Sequence, residues 1–216
     1  MIGYVQSPFQ LLGLYEFPEC CRIIYVRYSD KQNDIQLRNA LMYLNINTKI
    51  IELHKPNTPK SILKWILFFL RVNFRSEKIL FGGSDSRLKH FFPSRIELDD
   101  GTYSLKLINE NKANKLFSLF KDDGLYSHKF KKLRQIADSS VLDVSDTSDY
   151  IVGQPFVEGN HCSEEIYLNV LEDLIRRSLR DCFYIAHRTE TNKKLSKIRR
   201  IGYKLILPDL PLELYF

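Results

Sequence analysis

No two cysteines in this sequence are spaced Cys-x-x-Cys; the four are Cys20, Cys21, Cys162 and Cys182. No Cys/His cluster has the spacing of a metal site. The adjacent pair Cys20–Cys21 is a poor disulfide framework, so a reducing compartment, the cytoplasm, is expected. The phosphate-loop patterns GxxxxGK[ST] and GxGxxG are also absent. Gly82-Gly83-Ser84-Asp85 follows an apolar run and could hold an anion, but two glycines are a weak signal. The first residues, MIGYVQSPFQLL, lack a basic leader and break at Ser7-Pro8, unlike a signal peptide. The greasiest stretch, Ile62–Val72, is eleven residues long with Lys64 inside it, too short to cross a bilayer. It is expected to be a buried helix, with a helix that touches a membrane surface as the alternative. Acids are the scarcer charge: 26 Asp and Glu against 32 Lys and Arg give +6. That balance favours an anionic partner, whether nucleotide, nucleic acid or acidic membrane, without choosing among them.

What is present is ordinary globular material, 44% hydrophobic and 27% charged over 216 residues. That length suffices for one large domain or two small ones. Strand-like runs at 2–5, 22–27, 49–53, 78–81 and 95–98 alternate with helical patterns at 10–16, 30–44, 58–74 and 84–92. Ser7 and Pro8 form a helix start, and Pro59 sits in the first turn of another. Residues 121–148 are polar and irregular. A second alternation follows: strands at 150–152, 182–186 and 203–207, helices at 163–179 and 191–201. In the first of these helices Ile166, Val170, Leu171 and Leu174 form the apolar stripe. The pattern predicts an α/β protein of two Rossmann-like βα domains, 1–145 and 146–216, the second with a thin, incomplete sheet.

Two copies of Asp-Asp-Gly separate on this frame. Asp99-Asp100-Gly101 follows a strand, at the carboxyl edge where α/β sheets build their sites. Asp122-Asp123-Gly124 follows NKANKLFSLFK, whose Leu116, Phe117 and Phe120 read as a helix, so its glycine reads as a C-cap. His187, with Arg188, stands at the end of another strand. A carboxylate can take a hydroxyl proton, and a histidine can give a proton to a leaving group or bind a phosphate. Turn and core roles for these residues stay open. No role falls to His54, His90, His128 or His161. Seven cations from Arg188 to Lys204 (188, 193, 194, 197, 199, 200, 204) face one acid, Glu190. They read as a solvated helix face or as a positive rim beside a phosphate site or membrane.

The motifs YVQSPFQLL, ELDDG, VGQP, YIAHRTE and PLEL occur in this order across nearly the whole chain. The ordered set resembles the bacterial sialyltransferases of glycosyltransferase family 52, which act on lipooligosaccharide, and the related capsular polysialyltransferases. The resemblance implies a GT-B-like architecture, two domains facing a cleft. It implies transfer of sialic acid from CMP-sialic acid to a glycan hydroxyl, with inversion and without a required metal or cofactor. It assigns Asp99 as general base and His187 to the departing CMP phosphate, with Arg188 where many members carry proline. It places Glu213 on the cytidine ribose and Asp100, Gly101, Gly153, Gln154, Ser7 and Gln10 among substrate-binding positions. The family continues past PLEL with a Ser/Thr phosphate motif, so a shortened donor domain is expected, and activity of this chain alone is left open. The alternative is a non-catalytic glycan- or nucleotide-binding remnant. A nucleic-acid partner is not expected, because the aromatics follow core-like patterns away from the basic run. A glycolipid acceptor, contact with the cytoplasmic membrane face and self-association stay open.

Overall fold

The computed structural model describes residues 1–28, 31–74, 78–82, 88, 91, 92, 94–98, 116, 117, 132, 133, 147–211 and 214. The chain divides into two units, Met1–Ser139 and Ser140–Phe216.

In the first unit the apolar runs become strands β1 (Ile2–Val5), β2 (Ile23–Arg27), β3 (Lys49–Leu53), β4 (Ile79–Phe81), β5 (Arg95–Leu98) and β6 (Leu116–Phe117). They form one sheet in the order β3-β2-β1-β4-β5-β6, parallel at every pairing. This is the Rossmann strand order, whose switch point lies between β1 and β4. Helices α1 (Pro8–Glu16), α2 (Lys31–Tyr43) and α3 (Pro59–Phe74) connect the early strands. Ser7 caps α1 by accepting the Gln10 N–H at 3.3 Å, with Pro8 in the first turn, where its missing N–H costs nothing. Thr58 and Ser61 cap α3 reciprocally, each hydroxyl accepting the other's backbone N–H.

Alternation along β1 sends its residues to two layers. Ile2 and Tyr4 join a core with Phe68 and Val72 of α3, where Tyr4 stacks on Phe81 at 4.9 Å. Gly3 faces α1, and a Cβ there would run into Leu14. Helices therefore cover both faces of the sheet, as a two-sided parallel sheet requires.

Two expectations fail in this unit. Leu116 and Phe117 are strand, paired in parallel with Glu97 and Leu98, and not helix. Both side chains are buried, and Phe117 meets Phe17 edge-on at 5.0 Å. A pair of apolar residues that completes a sheet edge outweighs weak local helical spacing. Asp122-Asp123-Gly124 lies outside the described residues. Helix α3, in turn, is not buried all round: Phe68 is inside, but Leu63 and Leu67 are 55% and 54% exposed.

The second unit has strands β7 (Ser148–Val152), β8 (Asp181–Ile185) and β9 (Lys204–Ile206), in that order and parallel. Helices α4 (Glu164–Arg177) and α5 (Asn192–Ile201) connect them. Ser163 and Thr191 cap these helices through the N–H groups of Ile166 and Lys194. Gly202, at φ 122°, closes α5 in a conformation that costs a side chain strain. Leu171 of α4 and Leu195 and Ile198 of α5 pack on Cys182 and Tyr184 of β8, so both helices cover one face of this sheet. The stripe expected in α4 is turned. Leu171 is buried, with Tyr167, Leu168 and Ile175 beside the core, while Ile166, Val170 and Leu174 face solvent. The wide Tyr167 ring, anchored by its hydroxyl, takes the inward position. Among the described residues no helix is long and apolar enough to cross a membrane.

Candidate functional site

Among the described residues, each unit carries a group of side chains at the carboxyl ends of its strands. In the first, Ser7 and Gln10 sit where β1 runs into α1, beside Gly82 at the end of β4. Gln10 is buried, and its Oε1 accepts the Gln6 N–H at 2.9 Å. The Gly82 N–H donates to the Tyr4 carbonyl at 2.6 Å, drawing that backbone against Gln10. A Cβ on Gly82 would fall 2.6 Å from Gln10 Oε1. Asn33 Nδ2 donates to the Gln6 carbonyl at 2.8 Å, and Arg27 reaches Gln6 Oε1 at 3.4 Å. The turn is thus held rigidly at the switch point, with the N-terminus of α1 opening onto it. That is where doubly wound sheets bind ligands, and where a helix favours anions.

In the second unit His187 follows β8 by two residues, and Gly153 follows β7 directly. Glu190 ties them together. Its Oε2 accepts the His187 backbone N–H at 2.7 Å, and its Oε1 accepts the Tyr184 hydroxyl at 2.6 Å. Lys194 Nζ lies 2.6 Å from the same Oε1. Lys194 also donates to the Gln154 carbonyl at 3.1 Å, pairs with Glu158 at 3.3 Å, and stands 3.8 Å over the Tyr167 ring. The Tyr167 and Tyr184 hydroxyls are 2.8 Å apart, and Tyr167 accepts the Gln154 N–H at 3.3 Å. Only glycine fits at 153, because a Cβ would lie 2.6 Å from both Glu190 Oε2 and the Tyr184 hydroxyl. Gly153, Gln154 and His187 are therefore parts of one hydrogen-bonded frame.

The His187 ring has a defined polarity. The Thr189 backbone N–H points at Nδ1 at 3.3 Å and can only donate, so Nδ1 accepts. The Thr189 hydroxyl lies 2.9 Å from the same nitrogen. The neutral ring then carries its proton on Nε2, which has no partner among the described residues. Burial and the Arg188 charge pull the His187 pKa below its ordinary 6.5, against the opposing pull of Glu190 and Glu158. At neutral pH the group is thus a neutral N–H donor at a strand end. Burial pushes the Tyr184 phenol far up, and its bond to Glu190 adds to this, so it stays a donor. For Glu158 burial works upward, but the Thr191 N–H, its own backbone and Lys194 bring it below the usual range.

Of the residues singled out in the sequence, the structure groups Ser7 with Gln10, and Gly153 and Gln154 with His187 and Arg188. Asp99, Asp100, Gly101 and Glu213 lie outside the described residues; Leu98, just before Asp99, ends β5. The basic run needs correction at Lys194, which is neither on a solvated face nor on a rim but 1% exposed in its side chain. Lys197 pairs with Glu164, and Lys204 with Asp181 at 2.7 Å. Arg188 makes no ion pair among the described residues. Sequence reasoning missed Glu190, Lys194, Glu158, Tyr167 and Tyr184. One signal was available: Glu190 and Lys194 are four apart across a helix start, where a cation opposes the helix dipole and needs a partner. Among the described residues no three His, Cys, Asp or Glu side chains gather as a metal site. In comparisons with known proteins, no family model, no curated protein and no solved structure matches this chain.

Proposed function

We propose that this protein is an inverting glycosyltransferase, similar to the bacterial sialyltransferases, that moves sialic acid from CMP-sialic acid to a hydroxyl of a cell-surface glycan. The observation that carries the proposal is His187: a neutral imidazole at the end of a parallel strand, its Nδ1 held as acceptor and its Nε2–H left to donate. The order of the five motifs supports it from the sequence side.

The reaction asks for two things of the protein. The acceptor oxygen forms a bond to the anomeric carbon and gives up its proton, and the bond from that carbon to the CMP phosphate oxygen breaks. The electron pair leaves with CMP. In this reading Asp99 takes the proton, and His187 donates a hydrogen bond to the phosphate as its charge grows. A neutral donor suffices, because a phosphate leaves as an anion without being protonated. Arg188 adds positive charge beside it. The Glu190 frame fixes the backbone that carries His187, so no reorganisation is needed when the charge develops. Gly153 and Gln154 border the donor, Glu213 takes the ribose, and Ser7 and Gln10 at the α1 end serve the acceptor side.

Calorimetry with CMP, followed by turnover of CMP-sialic acid with a lipooligosaccharide acceptor, tests the reading. CMP binding weakened by His187→Ala, together with transfer, supports it. Binding without transfer favours the non-catalytic remnant, and absence of both removes the proposal.

A further inference from the structure

Helix α3 has more apolar surface than its own core uses. Phe68 and Val72 are buried against the sheet. On another side Ile62, Leu63, Ile66, Leu67 and Leu70 remain 44–55% exposed. Their spacing of one and then three residues makes one continuous helix face. A helix on the surface of a water-facing domain normally carries polar residues there. Lys60, Lys64 and Arg71 fall along one edge of that face by the same periodicity. Lys64 and Arg71, with Lys49 of β3, also line an open groove of about 710 Å³ shared with Leu67 and Leu70. Residues 59–74 contain no Asp or Glu.

We propose that this face of α3 docks on an anionic lipid bilayer. The five aliphatic side chains enter the boundary between headgroups and acyl chains, while Lys60 and Arg71 meet lipid phosphates beside Lys64, whose Nζ also donates to the Glu52 carbonyl at 3.1 Å. The combination of an apolar stripe and a purely cationic edge is the complement of such a surface. A second copy of the chain would bring another acid-free face, leaving the cations without counter-charge. A single helix of this size gives reversible attachment and no permanent anchor. The inference does not depend on the transferase reading.

The test is co-sedimentation of the full chain with vesicles of phosphatidylcholine alone, or mixed with phosphatidylglycerol. Binding is expected to the mixed vesicles only and to weaken with added salt. The triple variant K60Q/K64Q/R71Q is expected to bind roughly a hundredfold more weakly. I66S/L67S is expected to lose pelleting, whereas I166S/V170S on the exposed stripe of α4 keeps it. Trp65, the single tryptophan, lies in α3, so quenching by brominated lipid in the mixed vesicles locates the contact there. Should I66S/L67S show altered circular dichroism, the triple variant and the quenching decide. Equal binding to neutral vesicles, no binding, or an unchanged triple variant overturns the proposal. So does self-association in ultracentrifugation that I66S/L67S abolishes while vesicle binding is absent.

Discussion

Lys194 Nζ sits 2.6 Å from Glu190 Oε1 in the first turn of α5, with the two side chains 1% and 0% exposed. The helix dipole makes this the wrong end for a cation, so the pair is tolerated only because the rest of its surroundings is polar. Glu158, the Gln154 carbonyl and the Tyr167 ring supply that. Removing one partner strands the other. Lys194→Met is expected to lower stability by about 3–5 kcal/mol in urea unfolding. The double variant E190Q/K194M is expected to lose less than the sum of the single losses, because the two charges are coupled.

Gly153 tests the same frame by volume. Gly153→Ala drives a methyl group toward Glu190 and Tyr184 and is expected to cost about 1–3 kcal/mol. It should also shift the His187 ring resonances in NMR. Gly202→Ala, at φ 122°, is expected to cost about 1 kcal/mol through backbone strain and to leave those resonances in place.

The His187 pKa should be measured by NMR titration. It is expected below 6.5, with the Nε2–H tautomer in the neutral state. Arg188→Ala is expected to raise it, since the guanidinium disfavours the imidazolium; Glu190→Gln is expected to lower it further. Stability follows. Well above pH 6.5 the ring is neutral both folded and unfolded. As pH falls from 6.5 toward the lower folded value, the unfolded chain takes up a proton that the folded chain resists, and stability declines. His187→Asn is expected to remove that part of the pH dependence in thermal melts.

At the switch point, Gly82→Ala is expected to destabilise the first unit, because the new Cβ meets Gln10 Oε1 and Cβ at 2.6 and 2.9 Å. A companion Gln10→Ala change opens that space and is expected to recover part of the loss. Unfolding midpoints of the two single variants and the double variant check this.

The legible parts of the fold were those with local chemistry. Ser7-Pro8 and Ser163 each announce a helix start because a hydroxyl must meet a free N–H, and each does so here. The parallel strands were visible as short apolar runs between such starts. Features set by distant partners were not visible. Leu116-Phe117 became strand because β5 had an open edge to fill. The inward face of α4 turned on Tyr167, whose hydroxyl meets Tyr184 seventeen residues on. His187 was found from its place after a strand. The Glu190 frame behind it was hidden, since Lys194 looked like one more surface cation in a basic run.

The most direct measurement is transfer of labelled sialic acid from CMP-sialic acid to a lipooligosaccharide acceptor by the full chain. Product is expected with the wild-type protein and none above background with Asp99→Asn. His187→Ala is expected to reduce kcat by about 10²–10³, the loss typical of one donor to a developing charge, with a smaller change in KM. Undiminished transfer by Asp99→Asn or His187→Ala, or neither transfer nor CMP binding by the wild-type chain, would contradict the proposed function.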